Sequence, residues 1–143
     1  DNNLFQTGEI KINLNDGKPV ITEREYLFEP GMTVEKTFFI ENQGTWDVYY
    51  KLYFDNVEGG LADVLDVEIR GGDTVLLGGK ISELTKAQVG AVDDVLKLKD
   101  GRDLTVSFHY PESSGNVTQN QYLSFDMKAD AVQTKNNPDK LFD

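Results

Sequence analysis

The sequence predicts an all-β chain built as a two-sheet sandwich. Two observations carry that expectation: a period-two alternation of apolar and polar residues in run after run, and dense turn punctuation between the runs. The clearest alternation lies between Phe28 and Phe54. Met32, Val34, Phe38 and Ile40 alternate with Thr33, Glu35, Thr37 and Glu41, with Lys36 and Phe39 blurring the pattern. After Asn42-Gln43-Gly44-Thr45, the residues Trp46, Val48, Tyr50, Leu52 and Phe54 share one face, and Asp47, Tyr49, Lys51, Tyr53 and Asp55 share the other.

The remaining elements follow in order. Ile10, Ile12 and Leu14 line one face of a first strand, closed by Asp16-Gly17. Val20 and Tyr26 bracket a charged stretch, Thr22-Glu23-Arg24-Glu25, which reads as a guarded edge. Pro30-Gly31 turns into the Met32 strand. Val67 and Ile69 face Val75 and Leu77 across Gly71-Gly72-Asp73, a hairpin. Leu104, Val106, Phe108 and Tyr110 make one strand, and Leu123, Phe125, Met127, Ala129 and Ala131 another. Two segments break the alternation. Leu61–Leu65 has helical spacing over one or two turns, and Ile81–Leu98 suits one or two short helices crossing between sheets. The expected organisation is a single sandwich domain over residues 1–133, followed by a polar, flexible tail over 134–143.

At 143 residues the chain is long enough to bury a core without staples. It has no cysteine, which removes disulfides and thiolate metal sites. Fourteen Lys and Arg against 25 Asp and Glu give a net charge of −11, which disfavours nucleic acid and anionic lipid as partners. No apolar run reaches the ~20 residues of a membrane-spanning helix. The start at Asp1-Asn2-Asn3 reads as a processed or trimmed product.

Candidate chemistry is sparse. The single histidine, His109, shares a strand face with Ser107, roughly 6–7 Å away. A nucleophile needs its base at about 3 Å, so His109 is read as a solvated histidine. The H-E-x-x-H pattern of zinc proteases is absent. Asp63, Asp66 and Glu68, the pair Asp93-Asp94, and the group Asp55, Asn56 and Glu58 do not follow calcium-loop spacing and read as a solvated acidic face. Asn116-Val117-Thr118 fits a glycosylation sequon and is read as turn sequence. No catalytic, metal or cofactor residue is assigned. The outward row Tyr49 and Tyr53, with Lys51 between, has two readings: a contact face for a neighbouring subunit, or a face covered by the chain's own loops.

Four segments carry a resemblance to the TasA and camelysin family, secreted matrix and surface proteins of Gram-positive bacteria processed by a SipW-type signal peptidase. Leu4-Phe5-Gln6-Thr7-Gly8-Glu9-Ile10-Lys11-Ile12-Asn13-Leu14 resembles the family's opening strand, and Phe28 to Val34 its Pro-Gly turn. Ile40 to Val48 is similar to its Asn-x-Gly-Ser/Thr-x-Asp turn, and Gln119 to Gln133 to its closing strand.

The resemblance implies a jelly-roll-like sandwich, export to the extracellular matrix or cell surface, and self-assembly into fibres by donor-strand exchange. The N-terminal region, with Leu4, Phe5, Ile10, Ile12 and Leu14, would carry the assembly contacts. The partners would be further copies of the chain, with an accessory matrix or anchoring protein besides. Because such a contact does not close, it propagates into a filament. Two departures matter: the aromatic segment that usually precedes the opening strand is reduced here to Asp1-Asn2-Asn3, and His109 alone gives a camelysin-like metalloprotease no ligand set. An adhesin-like module binding carbohydrate, calcium or a host protein is the alternative from another class. Amide cross-links of surface fibres would draw on Lys11, Lys18, Asn42 or Asn136.

Overall fold

A computed structural model describes residues 8–21, 29–113 and 123–142. The strands are β1 (Ile12–Leu14), β2 (Thr33–Asn42), β3 (Val48–Glu58), β4 (Asp66–Gly71), β5 (Thr74–Lys80), β6 (Val95–Leu96), β7 (Gly101–His109) and β8 (Ser124–Gln133). They form two antiparallel sheets packed together, one of five strands in the order β1-β2-β7-β4-β5 and one of three in the order β6-β3-β8.

Alternation decides which face each strand buries. On β7, Leu104, Val106 and Phe108 are buried while Asp103 is exposed. On β2, Phe38, Ile40 and Asn42 point inward and Thr33, Glu35 and Thr37 face solvent. Lys36, half-buried, keeps step with the inward residues, and Phe39 keeps step with the outward ones opposite Asp103 on β7. The sheets meet across an aromatic cluster. Phe54 of β3 stands edge-on to Phe108 of β7 at 6.4 Å and to Phe125 of β8 at 4.9 Å, and Phe108 stacks on Phe125 at 5.7 Å. Each such pair adds about 1 kcal/mol beyond the area it buries.

The Val67–Leu77 hairpin forms as β4 and β5, with Gly72 at φ 61° in its turn and a register shift after Ile69. The Asp16-Gly17 turn forms too. Asn15, Asp16 and Gly17 all lie at positive φ, held by Asn13, whose Oδ1 accepts from the Asp16 backbone and whose Nδ2 donates to the Asp16 carboxylate. The charged stretch Thr22–Glu25 and the sequon at Asn116 lie outside the described residues.

Two expectations are corrected. Among the described residues there is no α-helix; the crossovers hold only single 3-10 turns, Gly60–Asp63 and Ile81–Glu83. Residues 84–96 are recruited to the edge of β3 instead. Phe54 N–H donates to the Leu84 carbonyl, Val92 N–H donates to the Tyr50 carbonyl, and Val95 and Leu96 pair with Tyr49 and Val48. Backbone groups committed to a strand edge are unavailable to an i→i−4 ladder. The second correction is Trp46, which does not join the buried face of β3. It sits in the corner before the strand, 36% exposed.

Asn42 builds that corner. It is buried at the end of β2, where its amide donates to the Trp46 carbonyl at 2.7 Å and to the Leu96 carbonyl at 3.0 Å, and its Oδ1 accepts from Gly44 N–H at 3.0 Å. Asp47 adds a second tie, its carboxylate accepting from Leu98 N–H. At the same end Tyr50 of β3 donates to Asp94 at 2.7 Å, and Arg102 of β7 grips the same carboxylate at 3.1 and 3.3 Å. Burial first, then the Asp94 hydrogen bond and charge, push the Tyr50 hydroxyl well above the ordinary tyrosine range.

Replacing Asn42 by Ala takes the donor from the buried Leu96 carbonyl and the part-buried Trp46 carbonyl, and the acceptor from Gly44 N–H; it should cost about 3 kcal/mol, read from urea denaturation. A loss under about 1 kcal/mol would show that the corner holds without it. Tyr50 has its own signature. Its pKa is raised in the folded chain, so its contribution is intact below about pH 10, where the unfolded phenol titrates, and is lost as pH rises further. The urea midpoint should therefore fall above about pH 10, and fall less steeply in Tyr50→Phe.

Candidate functional site

The N-terminal segment and the Asn42 corner form one seam. Gln43 N–H donates to the Lys11 carbonyl and Thr45 N–H to the Glu9 carbonyl, while Glu9 N–H donates to the Thr45 hydroxyl at 2.7 Å. Ile12, Asn13 and Leu14 then pair with Asn42, Glu41 and Ile40. Two glycines permit the approach. A Cβ on Gly44 would overlap the Glu9 carbonyl, and a Cβ on Gly8 would overlap the Trp46 indole. The opening-strand motif and the Asn-x-Gly-Thr motif are thus the two halves of one contact.

Of the residues expected to mediate assembly, Leu4 and Phe5 lie outside the described residues. Ile12 and Leu14 are half-buried against the core, and Ile10 is 41% exposed. β1 forms one edge of the five-stranded sheet and β8 one edge of the three-stranded sheet. Between β8 and the segment that follows β1 runs an open groove of about 390 Å³. Val20 and Ile21 line one wall, Phe125, Met127 and Ala129 the other, with Lys18, Asp126, Lys128 and Asp130 also lining it. Among the described residues, β8 pairs with β3 alone.

The outer face of β3 is covered by the chain itself. Tyr53 is 5% exposed and donates to Asp130 at 3.2 Å; burial and that carboxylate raise its pKa. Tyr49 is half-buried with the Lys140 ammonium 5.3 Å from its ring. Residues 134–142 return over this face, held by Asn137, whose amide donates to the Gln133 and Leu141 carbonyls and whose Oδ1 accepts from Leu141 N–H. Further along the β3–β8 pair, Lys128 meets Asp55 at 2.8 Å, a contact that lowers the Asp55 pKa and raises that of Lys128.

His109 has a partner that sequence spacing did not show. Its Nδ1 lies 2.8 Å from the Thr33 hydroxyl of β2. The cross-strand register, not the chain order, brings them together, since Thr33 pairs with His109 and His109 with Asp66. Asp66 is engaged by Lys80, so the row does not make a relay of nucleophile, base and orienting carboxylate. The acidic groups separate into ion pairs: Glu68 with Arg70, Asp93 with Lys140, Asp94 with Arg102. Among the described residues no three His, Cys, Asp or Glu side chains converge as a metal-ligand set. Of the cross-link candidates, the Asn42 amide is committed to two carbonyls.

The seam makes a direct prediction through the only tryptophan. Gly8→Ala should push Trp46 off the N-terminal strand, shifting its emission to the red and raising hydrogen exchange at Gln43 and Thr45. Unchanged emission and protection would show that the strand docks without the Gly8 contact. No family model and no curated protein matches the chain.

Proposed function

We propose that this chain is a secreted structural subunit of an extracellular matrix or surface fibre, in which the groove beside β8 accepts an extended strand from the N-terminal region of the next copy. The groove is the observation that carries the reading. It combines a ten-residue strand that is an edge among the described residues, a half-buried apolar wall of Phe125, Met127 and Ala129, and a facing wall from residues 17–21. Unpaired strand edges take up strands from other chains when nothing blocks them, and side-chain pockets along the edge select the incoming register.

A strand added at β8 would enlarge the three-stranded sheet to four, giving the two near-equal layers of the jelly-roll-like sandwich that the family resemblance implies. The seam supports the same reading from the other end. Residues 9–14 are held in one register against the end of β2 and the corner that follows it, which fixes the N-terminal segment of each copy in the sheet. A donor launched from one copy into the β8 groove of another is head-to-tail and propagates. The resemblance adds export and a matrix setting.

Electron microscopy tests the proposal. The secreted protein should form filaments, whereas a chain lacking residues 1–7 should not. Ala129→Leu, which fills the groove with apolar volume, should abolish filaments while keeping the thermal midpoint within a few degrees. Filaments from a folded Ala129→Leu protein would exclude this groove as the acceptor. A monomer at high concentration with the full N-terminus would overturn the fibre reading itself.

A further inference from the structure

The outer face of the three-stranded sheet holds a second concavity, of about 550 Å³, a size typical of small-molecule sites. Ile10, Val132 and Phe142 supply apolar wall, and the charged groups are Lys51, Lys86 and Asp130. It shares only Asp130 with the β8 groove.

Lys51 is the anomaly. It is 7% exposed, the one buried cation among the described residues. Its ammonium donates to the Lys86 carbonyl at 2.8 Å and sits 4.9 Å over the Phe142 ring. An ammonium carries three donors, and among the described residues the Lys86 carbonyl takes one of them. Among the described residues no carboxylate is within ion-pair distance of it. Asp130, its cross-strand neighbour, is turned to the Tyr53 hydroxyl and to Lys86 at 3.5 Å. Burying a cation with no counter-charge among the described residues is costly, and the ring face and one carbonyl offset only part of that.

We propose that this cleft binds a monocarboxylate with an apolar body, such as a medium-chain aliphatic acid. Two ammonium groups and one carboxylate leave a single positive charge, which one carboxylate neutralises. Its oxygens accept from Lys51 and from Lys86, which is 63% exposed and open to the cleft. The hydrocarbon lies along Ile10, Val132 and Phe142. A phosphate dianion overshoots the charge and leaves the apolar wall wet, and a neutral alcohol leaves the ammonium unpaired. The site is independent of the fibre reading, because it needs neither a second copy nor the β8 groove.

The test is a titration of the chain with octanoate, octanol and inorganic phosphate at low ionic strength, followed by the methyl resonances of Ile10 and Val132. Octanoate should shift both methyls to saturation, and octanol and phosphate should bind at least about tenfold more weakly. Lys51→Met, which keeps an apolar stem and removes the charge, should weaken octanoate about tenfold and leave octanol unchanged. Octanol or phosphate binding as tightly as octanoate would overturn the proposal, as would no octanoate shift up to about 10 mM, or octanoate binding to folded Lys51→Met as to the parent chain. The comparison of the three probes on the parent chain decides the matter even where Lys51→Met fails to fold.

Discussion

The buried amide of Asn42 is the constraint on which the arrangement of both sheets depends. It stands where β2 ends, yet its donors reach the carbonyl of Leu96 in the other sheet and the carbonyl of Trp46 in the turn between them. Its own backbone N–H is taken by the Asp100 carbonyl at the start of β7. One residue therefore ties the end of β2 to the corner into β3 and to β6 through its side chain, and to the return into β7 through its backbone. A hydrophobic residue there would fill the space but leave the buried Leu96 carbonyl unpaired, which is the physical reason for a polar group at this point of the core.

Everything N-terminal follows from that corner. With residues 43–45 held, their backbone presents donors to Lys11 and Glu9, and the chain from Gly8 to Leu14 has one register in which to dock. That register turns Ile12 and Leu14 toward the core and brings the segment after β1 alongside β8. Among the described residues five strands on one side face three on the other, and the groove beside β8 lies at the edge of the smaller layer.

The fold was legible in the sequence wherever burial alone decided it. Leu104, Val106 and Phe108 alternate because β7 is central with one wet face, and the Val67–Leu77 hairpin is written by its glycines. Legibility failed where a long-range partner overrode local pattern. Residues 81–98 carry helical spacing, but the unpaired edge of β3 takes their backbone groups, and no periodicity encodes that competition. Lys51 reads as an outward charge in a polar row; the return of residues 134–142 over β3 and the Lys86 carbonyl close over it. The Thr33–His109 pair is invisible for the same reason, since 76 residues separate two side chains that the register makes neighbours. The motifs at Gly8 and Gly44, by contrast, were visible as motifs, and what the sequence lacked was that each exists to admit the other.

On the fibre reading, an acidic chain must associate with its own copies, and the placement of its charge bears on how. At −11 the molecule repels its copies at long range, but screening confines that repulsion to about 8–10 Å at physiological salt. Strand addition is decided at hydrogen-bond distance, where the local balance matters more than the total. Around the β8 groove that balance is even, Lys18 and Lys128 against Asp126 and Asp130. The excess acid lies elsewhere, as on the outer face of the five-stranded sheet, where Glu35 and Glu68 flank Ser107. On the fibre reading, the net charge acts as the guard: it holds apart every surface that has not been locally neutralised, and the groove beside β8 is one that has.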